Sequence, residues 1–122
     1  LQQASVAGLT LGDAYYDALL AGYRERRELL LPALEGAGFR VFEPAGAYYA
    51  MTDIRGLTDE DDVTFARRLI ADPGVATVPG SSFYSRPELG RTKIRFAFPK
   101  KLETLRAAAE RLARLPQPAA NA

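Results

Sequence analysis

The sequence predicts an α+β fold, a two-layer sandwich in which a small, mainly antiparallel sheet carries helices on one face. Three observations lead there. The elements run in the order helix, strand, strand, helix, strand, strand, helix. The long periodic segments near both ends show one apolar stripe each, as helices packed on a sheet should. The first two strands are joined by a connection short enough to imply an antiparallel hairpin.

Residues 1–7 carry no capping signal and read as the tail of a helix that starts upstream, or as an artificial boundary. The first clear element begins near Asp13, an N-cap residue type after Gly12. Tyr16, Leu19, Leu20, Tyr23, Arg27, Leu30, Leu31 and Leu34 then recur at helical spacing and form one mainly apolar stripe. Pro32 lies within that helix. It has no N–H and its ring crowds the carbonyl of Glu28, so a kink or break is expected there. Gly36 and Gly38 end the helix. Residues 39–43 form a short strand, and Pro44-Ala45-Gly46 turns the chain, with Gly46 expected to serve the turn. Residues 47–54 form a second, aromatic-rich strand, with Tyr48 and Tyr49 divided between core and surface.

A helix is expected over residues 57–70, with Thr58 as N-cap, four acidic residues in its first turn, and Phe65, Ala66, Leu69 and Ile70 on its buried side. Asp72-Pro73-Gly74 stops it. Residues 75–78 read as a third strand, and the polar residues 85–91, with Pro87 and Gly90, as an exposed loop. In residues 92–98, Ile94, Phe96 and Phe98 fall on one face of a strand and Lys93, Arg95 and Ala97 on the other. Leu102, Leu105, Ala109, Leu112 and Leu115 define the last helix, ended by Pro116 and a Pro/Ala-rich tail. The whole chain, 1–122, reads as one domain with residues 1–11 and 116–122 peripheral.

Composition narrows the chemistry. The 122 residues are 48% hydrophobic and 25% charged, enough apolar material for a core. A net charge of +1 argues against a nucleic-acid module, and Arg24-Glu25-Arg26-Arg27 reads as a solvated helix face. With no cysteine and no histidine, disulfides, thiolate chemistry, the usual zinc sites and histidine general-base catalysis are excluded, and no metal site is expected. No apolar run reaches the length of a membrane helix, so a cytoplasmic protein that binds neither membrane nor nucleic acid is the expectation. Arg95 is the candidate functional residue. Its planar fork, on a rigid strand beside the small Ala97, suits a carboxylate. The strand alone leaves two readings, a solvated arginine or a ligand-binding one. The glycine loop Pro79-Gly80-Ser81-Ser82 has backbone N–H groups that an anion could also use.

Several stretches in order resemble one family. These are Tyr23-Arg24-Glu25-Arg26-Arg27, Leu34-Glu35-Gly36-Ala37-Gly38-Phe39, Pro44-Ala45-Gly46-Ala47-Tyr48-Tyr49, the segment Val75-Ala76-Thr77-Val78-Pro79-Gly80-Ser81-Ser82-Phe83-Tyr84, Ile94-Arg95-Phe96-Ala97-Phe98, and Glu110-Arg111-Leu112. From about Asp13 to Leu115 the chain is similar to the C-terminal small domain of class I/II, fold-type-I aminotransferases, most like the aspartate, kynurenine and methionine types. The resemblance implies that Arg95 binds the substrate α-carboxylate, with Ser82 and Tyr84 (and Ser81) as further pocket candidates. It implies pyridoxal phosphate as cofactor, amino acids and 2-oxo acids as substrates, and a homodimeric parent. The cofactor residues would belong to the parent's large domain. Catalytic and cofactor-binding residues are therefore expected to be absent here, Lys93, Lys100 and Lys101 included, and the fragment alone is expected to be monomeric and inactive. The same scaffold also carries lyase and synthase chemistry. A free-standing module that binds amino-acid carboxylates is the alternative.

Overall fold

A computed structural model describes residues 1–116; the tail expected beyond Pro116 lies outside the described residues. Four helices, α1 (Gln2–Leu9), α2 (Asp13–Gly36), α3 (Asp62–Ala71) and α4 (Leu102–Leu112), accompany four strands, β1 (Arg40–Phe42), β2 (Tyr49–Asp53), β3 (Val78–Pro79) and β4 (Lys93–Ala97). The sheet order is β1-β2-β4-β3 with every neighbouring pair antiparallel, so the α+β expectation holds. β1 and β2 form the expected hairpin.

The core lies between the sheet and α2, α3 and α4. Ile94, Phe96 and Phe98 supply one face of the β4 segment, meeting Leu30 and Leu34 of α2, Phe65, Ala66 and Leu69 of α3, and Leu105 and Leu112 of α4. Phe39 packs edge-on against both Phe65 and Phe96, with centroids 6.0 and 5.1 Å apart, and so links α3 to the sheet. Opposite this core, the other face of the sheet carries Arg40, Phe42, Tyr49, Met51, Asp53, Lys93, Arg95 and Ala97, of which Asp53 alone is buried.

α2 departs from expectation at its N-terminus and in the middle, and ends at Gly36 and Gly38 as expected. Gly12, not Asp13, occupies its N-cap, and Asp13 sits in the first turn, where its charge meets the positive end of the helix. Pro32 does not break the helix, which runs 24 residues through it. Packing of Leu30 and Leu34, on either side of Pro32, outweighs the one lost hydrogen bond. The C-terminus closes by donation from Phe39 N–H to the Leu34 carbonyl (3.0 Å) and from Gly38 N–H to the Glu35 carbonyl (2.9 Å). Gly38, at φ 93°, takes the left-handed position this closure requires. The N-terminal half of the apolar stripe is not core: Tyr16, Leu19 and Leu20 are each more than two-fifths exposed. α1, which begins at Gln2, contributes no buried residue and is tied to α2 where the Tyr16 hydroxyl donates to the Gly8 carbonyl. The basic run on α2 is not simply solvated. Arg26 Nε donates to the Lys100 carbonyl (2.7 Å), and Arg27 donates to Pro44 O (3.1 Å) and Glu43 (3.0 Å), pinning the hairpin loop.

Elsewhere the boundaries move. Ala47, not Gly46, adopts the positive φ (65°) in the hairpin loop, and β2 starts two residues later than expected. Tyr48 is exposed and Tyr49 half-buried, so neither enters the core. α3 begins at Asp62 rather than near Leu57, because Asp61 caps it by accepting from Thr64 N–H at 2.8 Å. Thr58 instead forms a local turn, accepting from Glu60 N–H at 3.1 Å. Ile70 faces solvent, while Phe65, Ala66 and Leu69 are buried. The third strand is only Val78–Pro79, since residues 75–77 diverge from β4.

Candidate functional site

Arg95 stands on β4, one of the two interior strands of the sheet. It lies opposite Met51 of β2 and Val78 of β3, so backbone ladders fix its Cα from two directions. The alternation that buries Ile94 and Phe96 turns Arg95 to the uncovered face. Among the described residues no hydrogen bond or ion pair holds its guanidinium. Its contacts are aromatic instead: Cζ lies 4.2 Å from the Phe83 ring centroid and 5.1 Å from that of Tyr49. Arg95 Nε is shut away from water with no acceptor, which leaves the two terminal nitrogens as donors for a ligand.

Phe83 closes a 3-10 turn, Gly80–Phe83, that follows β3 directly. Two features lock this turn. The buried Asp62 carboxylate, at the first position of α3, accepts from Ser81 N–H at 2.7 Å. Gly80 and Gly90 also approach backbone to backbone: a Cβ on Gly90 would lie 2.4 Å from Ser81 N and 2.5 Å from Gly80 C, while one on Gly80 would lie 2.6 Å from Lys93 O. This hydrogen bond bears on one expectation, since the Ser81 N–H of the glycine loop is already taken by Asp62 of α3 rather than offered to an external anion.

The other candidates sit around this turn. Ser82 is exposed on it. Tyr84 is half-buried and faces Lys93, whose Nζ stands 5.3 Å from its ring centroid. Lys93 Nζ also donates to the Leu89 carbonyl at 2.5 Å. On the same face of the sheet, Asp53 binds Arg55 through Nε and Nη2, the latter at 2.6 Å. Those hydrogen bonds hold the Asp53 carboxyl below the usual range, with help from the Arg55 N–H and the charges of Arg55 and Lys93, and against the opposing effect of burial. Asp53 is thereby paired away from Arg95. Sequence reasoning had offered Tyr49 only as one of two tyrosines and had passed over Phe83 and Asp62. The period-2 pattern of β2 would have put Tyr49 on the Met51 face, but nothing in the sequence announces which strand lies beside it.

The fold and this uncovered face define a two-layer α+β domain presenting an unpaired, aromatic-flanked arginine. The chain belongs to the aminotransferase class I and II family, whose model matches residues 1–112. Relatives include methionine aminotransferase of Escherichia coli, 38% identical over 101 residues covering 83% of this chain and 26% of that protein. Another is the aspartate/prephenate aminotransferase of Thermus thermophilus, 35% identical over 117 residues covering 93% of this chain and 29% of that protein. Among solved structures, N-succinyldiaminopimelate aminotransferase of Mycobacterium tuberculosis superposes with a TM-score of 0.83 at 34% identity, covering 94% of this chain and 30% of that one. The chain thus spans between a quarter and a third of the length of these relatives.

The family depends in general on pyridoxal phosphate. The residues described here do not fit that group. A cofactor lysine needs a free amine facing a cleft, whereas Lys93 is held by the Leu89 carbonyl and Lys101 lies 3.7 Å from Glu103 on the surface. Lys100 is exposed two residues before α4.

Proposed function

We infer that this chain is the C-terminal small domain of a cytoplasmic aminotransferase that moves an amino group from an amino acid to a 2-oxo acid, and that Arg95 binds the substrate α-carboxylate. The observation that carries this reading is the unpaired guanidinium of Arg95 on the uncovered sheet face, flanked by Tyr49 and Phe83. A guanidinium stays charged at any working pH and grips a carboxylate through two parallel hydrogen bonds. Fixing the carboxylate fixes the direction of the Cα–H bond, a positioning role rather than proton transfer. Ser82, exposed on the Phe83 turn, and Tyr84 beside it are the further pocket residues in this reading. Pyridoxal phosphate and its lysine belong to the large domain, outside these 122 residues, so the chain alone is inactive and monomeric. The exposed Tyr16, Leu19 and Leu20 stripe of α2 is the surface that the large domain of the same polypeptide would cover. The parent is a homodimer.

The test uses the full polypeptide. Its absorption spectrum should show a bound cofactor, and borohydride reduction with peptide mapping should place that cofactor on a lysine outside residues 1–122. Arg95→Lys in that protein should lower kcat/KM for the amino donor by about 10- to 100-fold, since a charged hydrogen bond contributes about 1.5–3 kcal/mol. An unchanged kcat/KM removes Arg95 from the site.

A further inference from the structure

We propose that Phe83, together with Tyr49, is a positioning residue that holds the guanidinium plane of Arg95 ready for a carboxylate; this rests on the reading of Arg95 just given. The two rings stand 4.2 and 5.1 Å from Arg95 Cζ, and no other side chain among the described residues bonds the guanidinium. An arginine side chain has four rotors, and ordering them on ligand arrival subtracts from affinity. Ring faces carry negative charge density that attracts a guanidinium without consuming its donors. A carboxylate partner would hold it equally still but would occupy the fork. The aromatic clamp orders Arg95 and leaves Nη1 and Nη2 for the substrate.

The placement of Phe83 has no explanation in packing. Its ring is 44% exposed and is not part of the apolar core. The turn that carries it is nevertheless held rigidly, by Asp62 on Ser81 N–H and by the Gly80–Gly90 contact. A rigid turn presenting an exposed aromatic to an unpaired arginine orients that arginine. Tyr49 completes the clamp from β2, two residue pairs along the ladder from the Met51–Arg95 pair and on the same face. The guanidinium is thus gripped by two segments, residues 49 and 83, that are remote in sequence and converge only through β4.

The experiment uses the full polypeptide, with the twenty L-amino acids as donors and 2-oxoglutarate as acceptor, carrying the best donor forward. Phe83→Leu keeps bulk but removes the ring; Phe83→Tyr keeps the ring. Each is made in the native and in the Arg95→Lys background, with thermal unfolding followed alongside. The clamp predicts that Phe83→Leu raises KM about tenfold with kcat within about twofold. Phe83→Tyr should stay within about twofold of native, and Phe83→Leu should add less than about twofold in the Arg95→Lys background. Unfolding midpoints should be unchanged; if Phe83→Leu does not fold, Phe83→Met makes the same comparison. A native KM for Phe83→Leu, with Arg95→Lys impaired, overturns the clamp while Arg95 keeps its role. An equal loss from Phe83→Leu in both backgrounds also overturns it, because the ring then acts independently of Arg95. A native kcat/KM for Arg95→Lys overturns the Arg95 reading itself, and the clamp with it.

Discussion

Replacing Gly90 by alanine tests the interlock beneath the Arg95 site. Gly90 has φ −101° and ψ −8°, a conformation any residue adopts, so dihedral preference alone would make alanine stabilising by about 0.4–1 kcal/mol through the unfolded chain. Space decides otherwise. The added Cβ would stand 2.4 Å from Ser81 N, 2.5 Å from Gly80 C and 2.6 Å from Gly80 O. All three are backbone atoms, so no side chain can swing aside. Restoring ordinary contact means separating the two segments by about 1 Å, and overpacking of this kind costs about 1–3 kcal/mol. The separation also pulls Ser81 N–H from the buried Asp62 carboxylate, a bond of 2.7 Å. The net expectation is a loss of about 2 kcal/mol, read by urea unfolding, with a raised KM because the Phe83 turn shifts with Gly80. Gly36→Ala is the control. It ends α2 with nothing within 4 Å of its added Cβ, and should stabilise by about 0.5–1 kcal/mol. If Gly90→Ala proved as stable as Gly36→Ala, steric contact between Gly80 and Gly90 would not be what holds the turn.

Three further outcomes follow from the same geometry. Asp62→Ala leaves the partly buried Ser81 N–H without its acceptor and should cost about 1–3 kcal/mol, whereas Asp62→Asn keeps an acceptor oxygen and should cost less, both read by denaturant unfolding. Leu34→Ala removes a fully buried side chain at the centre of the core and should cost about 2–5 kcal/mol by the same assay. The folded-state pKa of Asp53 lies below its unfolded value, so its pairing with Arg55 contributes fully above the unfolded pKa, about 3.9, and is lost as pH falls through the folded one. Unfolding midpoints measured down from pH 5 should therefore drop with acid, and Asp53→Asn should flatten that limb; an identical acid limb in both proteins would exclude the pair as a contributor.

Much of the fold was legible because periodicity reports burial. Ile94, Phe96 and Phe98 identified the core face of β4 without any knowledge of what covers it, and Gly38 marked the end of α2 because only glycine enters the left-handed position cheaply. The errors were local competitions that sequence cannot score. Thr58 and Asp61 are both capping residue types, and Asp61 won because α3 had to start where Phe65, Ala66 and Leu69 meet the core. Pro32 opposed the helix, and the packing of Leu30 and Leu34 overrode it. Tyr16, Leu19 and Leu20 continued the apolar stripe of α2, yet periodicity does not say whether the surface awaiting a stripe lies within the same domain.

Arg95 itself was determined by the sequence. Strand alternation put it opposite the core, and a guanidinium carries its charge and fork wherever it stands. Its surroundings were decided only by the tertiary structure. Phe83 reaches the guanidinium because β3 pairs with β4 at Val78 and Arg95 and then curls into a turn, and Tyr49 because β2 pairs on the other side. Neither pairing is written in a local pattern, since hydrogen bonds between strands are made by backbone that every residue shares.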